Sequence, residues 1–164
     1  MQIVQINPSL SVADQIEESE VAALAAAGFK AVIDNRPDTE GGAPAERIRA
    51  ACERHGLAFF YQPVEFSTLS LADSDAFGQI LRRCDSPVLA YCRSGRRSSA
   101  LWALAVAPLV GAQAVIDRGK KARISLEELR PLLDQSAARS DPGYAPAADT
   151  KGRERFVRKW VQGH

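Results

Sequence analysis

The chain is poor in the residues that build disulfide and metal scaffolds. Its 164 residues include three cysteines, Cys52, Cys84 and Cys92, and two histidines, His55 and His164. An odd, low cysteine count argues against a disulfide framework and for a reducing compartment. No two cysteines have CxxC spacing and the histidines are isolated, so neither a structural zinc site nor any other metal or cofactor is expected. Net charge is also scarce. At +1 the chain has no strong field to draw nucleic acid or an anionic membrane. Its longest apolar stretches are too short and too Ala-rich to span a bilayer, and Met1, Gln2, Ile3 and Val4 show no basic segment ahead of a signal-type apolar core. These absences lead to the expectation of a cytoplasmic protein with no nucleic-acid or membrane partner.

What is present fits a soluble globular fold of ordinary domain size, 46% hydrophobic and 25% charged. Ile3–Ile6 and Leu10–Val12 read as two short strands around the Asn7-Pro8 turn. Ser19–Gly28 reads as a helix stopped by glycine, and Phe29–Asp34 as a buried strand that runs into the polar loop 35–42. Pro44–His55 is the next helix and Leu57–Tyr61 the next strand, followed by Pro63-Val64-Glu65-Phe66. Asp73–Cys84 is helical, Pro87–Tyr91 is the last core strand, and Ser98–Val106 is an apolar, Ala-rich helix. Gln113–Lys121 forms another. Ser125 and Glu128 form a capping-box pattern opening a helix to about Gln135.

Strands alternating with helices predict an α/β fold: a parallel-rich central sheet covered by helices on both faces. Ligands of such sheets bind beyond the carboxyl ends of the strands. The 35–38 loop, the Glu65 segment and the loop after Tyr91 leave from those ends and should converge. Residues 1–135 are expected to form the catalytic domain. From Ser136 to Thr150 the composition shifts to Ala, Ser, Pro, Asp and Gly, which reads as a linker. Lys151–Val161 then reads as a short basic helix with Phe156 and Trp160 on one face. Two uses stay open for it: packing on its own domain, or docking on a second copy of the chain or another partner.

The loop Cys92-Arg93-Ser94-Gly95-Arg96-Arg97-Ser98 carries the chemistry. A thiolate is a strong nucleophile, and positive charge together with backbone N–H groups stabilises it. The loop ends where a helix begins, so helix amides and dipole point back into it. Arg93, Arg96 and Arg97 supply three guanidinium groups, and Gly95 lets successive N–H groups turn inward as an anion nest. Ser98 can cap the helix or donate to the thiolate. Cys52 and Cys84 lie in helical stretches without such neighbours and read as packing residues.

Cys-x-x-Gly-x-Arg-Ser, after an apolar strand and before Ser99-Ala100-Leu101-Trp102, resembles the active loops of rhodanese-like sulfurtransferases and of cysteine-dependent tyrosine and dual-specificity phosphatases. The wider chain resembles the bacterial phosphatase-like domain found alone or fused to beta-lactamase-like proteins. Residues 10–13, 28–38 and 88–95 carry that likeness, which covers about residues 1–135. The resemblance implies the cysteine-phosphatase or rhodanese arrangement, a strand–Cys loop–helix active site.

Two reactions follow from it. The phosphatase signature places its arginine six residues after the cysteine, but position six here is Ser98 and Arg97 stands at position five. The shorter loop matches the rhodanese length, and Tyr91 stands where such phosphatases commonly have histidine. The leading expectation is therefore a sulfurtransferase. Cys92 would take sulfur from a small anionic donor such as thiosulfate and pass it to a thiol acceptor. Fused relatives whose partner domain oxidises persulfides point the same way by analogy. The alternative is a phosphatase acting on a phosphorylated substrate through a Cys92 thiophosphate. Arg97 would clamp the phosphoryl oxygens, with Arg36, Arg93, Ser94, Gly95, Arg96 and Ser98 around the anion. Glu65 is the first candidate for the general acid such a reaction needs and Asp38 the second, although Asp38 can instead shape its turn. A non-catalytic redox-sensing module, using Cys92 and the basic tail, is the third reading.

Overall fold

The computed structural model describes residues 1–164. Short β-rich and apolar runs form five strands: β1 (Ile3–Asn7), β2 (Leu10–Ala13), β3 (Ala31–Asp34), β4 (Ala58–Tyr61) and β5 (Val88–Tyr91). They make one sheet in the order β1-β2-β5-β3-β4. β2, β5, β3 and β4 run parallel. β1 and β2 are neighbours joined by only Pro8 and Ser9, a connection that antiparallel strands alone can use. The fold is thus α/β with a mixed, mostly parallel sheet. Every residue of β3 and β5 is buried, as both faces of a central parallel strand require, while edge strand β4 is half exposed.

The register sets up the site. Asp34 lies opposite Tyr91 on one side and Tyr61 on the other, and Tyr91 lies opposite Ala13. The carboxyl ends of four strands therefore fall on one edge of the sheet, and the segments after them start level with one another.

Two compact units can be distinguished. The first comprises Met1–Gln5, Leu10–Leu69 and Cys84–Ser98. It holds α1 (Val21–Ala26) and α2 (Ala45–Arg54). α2 buries Ala45, Ile48, Ala51 and Cys52 at helical spacing. Ile48, Ala51 and Cys52 join Val21, Leu24, Val32, Leu89 and Tyr91 in one apolar cluster. Arg49, on the flank of α2, stacks its guanidinium 4.9 Å from the centre of the Phe59 ring.

The second unit comprises Ile6–Ser9, Ser70–Arg83 and Ser99–His164. It contains α3 (Leu71–Arg82), α5 (Ala112–Lys121), α6 (Arg130–Ala137) and α7 (Thr150–Trp160). It also takes in most of α4 (Arg96–Val110), whose first three residues belong to the first unit. α3 opens on a capping box in which Ser70 and Asp73 exchange hydrogen bonds with each other's backbone N–H. The Ser125–Glu128 pattern does not cap a helix. A 3-10 turn at Glu127–Leu129 precedes α6, and Glu127 instead pairs with Arg130. α7 is capped by Asp149, which accepts from the Gly152 N–H.

The stretch from Ser136 to Thr150, expected as a linker, is anchored within this unit. Ser136 donates to the Leu104 carbonyl at 2.7 Å, and the Tyr144 hydroxyl donates to the Ala105 carbonyl. A Cβ on Gly78 would come within 2.7 Å of the Tyr144 ring, so only glycine lets that ring settle on α3. Phe156 and Trp160 are buried, the Trp160 carbonyl accepts from Trp102 Nε1 at 2.8 Å, and Phe156 packs on Tyr144. Apolar burial of two aromatic side chains on one helical face explains why α7 folds back on its own chain. No helix is long and apolar enough to cross a membrane.

Candidate active site

The loop after β5 closes on itself around Cys92. The Cys92 side chain is fully buried, its Sγ accepts the Gly95 N–H at 3.1 Å, and its own N–H donates to the Ala13 carbonyl at the end of β2. Gly95 has φ +89°, the left-handed region open to glycine, and a Cβ there would sit 3.4 Å from the Ala13 oxygen. The glycine both turns its N–H onto sulfur and lets the loop close against β2. α4 begins at Arg96, so the loop feeds directly into a helix N-terminus.

Arg97 is nine-tenths buried, five residues after Cys92 in the same loop. Its guanidinium makes three hydrogen bonds: Nη1 to Glu40 Oε2 at 2.7 Å, Nη2 to Glu40 Oε1 at 2.8 Å, and Nη1 to the Val64 carbonyl at 2.9 Å. The paired carboxylate and, less strongly, the nearby sulfur hold Arg97 even more firmly protonated than an ordinary arginine. Reciprocally, Arg97 holds the Glu40 carboxyl below its usual range. Such a two-pronged pair is the strong form of an arginine–carboxylate contact.

Asn35 ties three segments together behind this pair. Its Nδ2 donates to the Gln62 carbonyl, its backbone oxygen accepts from Val64 N–H, and its Oδ1 accepts the Ser98 hydroxyl at 2.8 Å. Ser98 is therefore committed to Asn35 and neither caps α4 nor donates to sulfur, contrary to expectation. Asn35 and Glu40 were both missed in the sequence reading. The signal for Asn35 was a polar residue at the end of a buried strand. For Glu40 it was a carboxylate just before two glycines, in the loop expected to converge on Cys92.

The expected convergence is there. Glu40, Glu65, Phe66, Ser67, Arg93, Ser94, Arg96 and Arg97 line one open cleft of about 460 Å³. Glu65 stands on its wall, exposed, at the start of a 3-10 turn. Arg93 and Ser94 are exposed at the loop tip. Arg96 lays its guanidinium 4.3 Å from the centre of the Phe66 ring, so it props the Glu65–Phe66 wall as well as bordering the cleft. Asp38 is not at the cleft. Its Oδ1 accepts from Ala45 N–H at the start of α2, and its own N–H donates to the Tyr61 hydroxyl, so it shapes the loop. Arg36 is likewise engaged with Gln15 Oε1 and the Glu40 carbonyl, both at 2.8 Å.

Below the loop, Asp34 is buried and accepts from Arg36 N–H; burial pushes its carboxyl up to about 6. The adjacent Tyr91 hydroxyl is buried beside it, which raises the phenol strongly. Cys52, in the apolar cluster under Tyr91, has its thiol pushed up to about 11 by burial.

The shorter loop was expected to suit sulfur, and its arginine at position five lines the cleft. Comparison with known proteins backs the phosphatase alternative. Residues 2–109 match the model of the family described as beta-lactamase hydrolase-like protein, phosphatase-like domain. The chain is 35% identical over 106 residues to the beta-lactamase hydrolase-like protein of Agrobacterium fabrum, covering 63% of this chain and 25% of that one. It thus spans about a quarter of the length of the curated relatives it matches. Among solved structures, a candidate phosphatase of Neisseria meningitidis superposes with a TM-score of 0.73 at 31% identity, over 83% of this chain and 99% of that one. The fold is also that of P. aeruginosa TpbA, solved in complex with phosphotyrosine, at a TM-score of 0.60 and 17% identity over 86% and 91% of the two chains. With about two thirds of its residues matching that family model, the chain belongs to the beta-lactamase hydrolase-like protein, phosphatase-like domain family.

Proposed function

We propose that this domain is a cysteine-dependent phosphatase that hydrolyses a phosphate monoester through a Cys92 thiophosphate. The observation that carries it is the Cys92 sulfur held by the Gly95 N–H in a helix-opening loop whose Arg97 lines the adjoining cleft. Sulfur attacks phosphorus as the ester P–O bond breaks. Backbone N–H groups of the loop and the Arg97 fork take the equatorial oxygens, whose charge is the quantity to be stabilised. Arg93 adds charge at the mouth. Glu65, the carboxyl group on the cleft wall that no arginine holds in a two-pronged pair, gives its proton to the leaving oxygen. Water then attacks the thiophosphate, its proton passing to Glu65, and phosphate departs as the thiolate is restored.

The test is release of phosphate from p-nitrophenyl phosphate and from an alkyl monoester. Turnover of the aryl ester by the wild type and none by Cys92→Ser is the expected result. No turnover of either ester by the wild type would sink the reading. The acid is tested separately. Glu65→Gln should slow the alkyl ester much more than the aryl one, because nitrophenolate leaves without a proton. Equal loss on both would remove Glu65 from that role.

A further inference from the structure

Helix α7 carries far more charge than its packing uses. Five of its eleven residues are basic and one is acidic, in a chain whose net charge is only +1. Part of that charge gathers around a small cavity of about 240 Å³ between α7 and the end of α3. Both helices belong to the second unit, and the cavity shares no lining residue with the Cys92 cleft.

The floor of the cavity is apolar, made of the buried Leu81, Phe156 and Trp160. Its rim is cationic. Arg82 comes from α3, Arg155 and Lys159 come from α7, and no carboxylate lines the space. Arg155 and Lys159 stand four residues apart, so their like charges share one face of α7 and repel. Two of the three cations are already held in position. Lys159 Nζ sits 5.0 Å from the centre of the Trp160 ring. Arg82 Nη1 donates to the Tyr144 carbonyl at 2.8 Å, and the other guanidinium nitrogen atoms are left for a ligand. The Arg155 guanidinium has no ion pair or hydrogen bond. Nearby acids are engaged elsewhere. Asp149 caps α7 by accepting the Gly152 N–H at 2.9 Å, and Glu154 borders a different groove with Leu109 and Val157.

We propose that this cavity is a second anion site, which takes a compact dianionic oxyanion: inorganic phosphate, or the phosphate of a small phosphorylated molecule. A dianion answers three converging cations better than a single carboxylate does, and it relieves the repulsion between Arg155 and Lys159. The buried rings beneath exclude water from one side, which strengthens each charged contact. Pockets for drug-sized ligands run to roughly 300–1,000 Å³, so this smaller space admits a phosphoryl group and little beyond it. The site stands apart from the Cys92 chemistry and does not depend on it.

The experiment follows the backbone amide signals of the full, isotope-labelled chain by NMR. Inorganic phosphate or methylphosphonate is added at constant ionic strength, with chloride as the control. Methylphosphonate has the shape of a phosphate ester and no ester bond to break. Saturable shifts at Arg155, Phe156 and Lys159 are expected with either oxyanion and not with chloride. The tighter binder of the two identifies the source, free phosphate or a phosphorylated molecule. Arg155→Gln should weaken this binding about tenfold, the scale of one partly exposed charge-assisted contact. Lys151→Gln, on the same helix but outside the cavity, should leave it unchanged. Circular dichroism shows that both variants are folded. Shifts confined to the Cys92 loop would overturn the second site while leaving the first. Equal shifts with chloride, or equal weakening by the two substitutions, would reduce it to general screening of a basic helix and overturn it as well.

Discussion

Cys92 and Cys52 are both completely buried, and burial says nothing about which of them reacts. Their surroundings differ in kind. Cys52 projects from the last turn of α2 into a cluster of Ile48, Leu57, Leu89 and Tyr91, which disfavours its thiolate. Cys92 follows strand β5, accepts a backbone N–H, and shares a helix-opening loop with Arg97. One environment supplies apolar contacts, the other a backbone N–H aimed at the sulfur. Tyr91 joins them, since it packs in the Cys52 cluster and directly precedes Cys92. The comparison teaches that the two sulfurs differ in the donors aimed at them and not in access to solvent.

The comparison breaks most sharply under exchange of sulfur for oxygen. Cys92→Ser should lower phosphate-ester turnover by at least about a thousandfold with little change in unfolding midpoint. Cys52→Ser should do the reverse. Turnover per folded molecule is kept, but a hydroxyl in the apolar cluster should cost about 2 kcal/mol in urea unfolding. If Cys52→Ser lost activity while staying folded, the two cysteines would have to be linked in function. Arg97→Lys comes next. Lysine keeps the charge but not the two-pronged fork, so turnover should fall roughly a hundredfold, with kcat affected more than KM. An unchanged kcat would mean that charge alone, not the fork, serves the reaction.

Much of this contrast was legible in the sequence. Gly95, three arginines and an apolar strand ahead of Cys92 mark an anion loop by local rules alone, and the alternation of strands and helices foretold which loops would meet. What was not legible was how the polar groups share one another. Ser98 could have served sulfur or a helix cap, and it serves Asn35, a residue 63 positions away. Asp38 and Glu40 are two positions apart in one loop, yet the 3-10 turn sends Asp38 to the start of α2 and Glu40 to Arg97. Loop length pointed to sulfur, whereas the family match backs the phosphatase alternative better. The Arg97 fork itself lies on Glu40 and the Val64 carbonyl. The tail misled by composition: Tyr144 is a single aromatic in a run of small and polar residues, and its ring on Gly78 anchors the whole stretch.

The smallest expected effect lies where the two environments meet. Asp34 is buried beside Tyr91, with its carboxyl pushed from 3.8 up to about 6, mainly by loss of water. Between those values the folded protein keeps a proton that the unfolded chain has released. Stability therefore falls as pH rises from about 4 to about 6, and above that window the full penalty of a buried charge is present. The shift corresponds to at most about 3 kcal/mol. Asparagine can keep the contact to Arg36 N–H without the charge. Asp34→Asn should thus be more stable than wild type in urea at pH 7.5 and nearly equal to it at pH 4, with the gap opening across that window. Other carboxyls titrate alike in both proteins, so the difference isolates Asp34. A gap that stayed constant with pH would show that Asp34 is ionised in the fold throughout, and that the polar surroundings of Cys92 extend down to the Asp34 carboxyl.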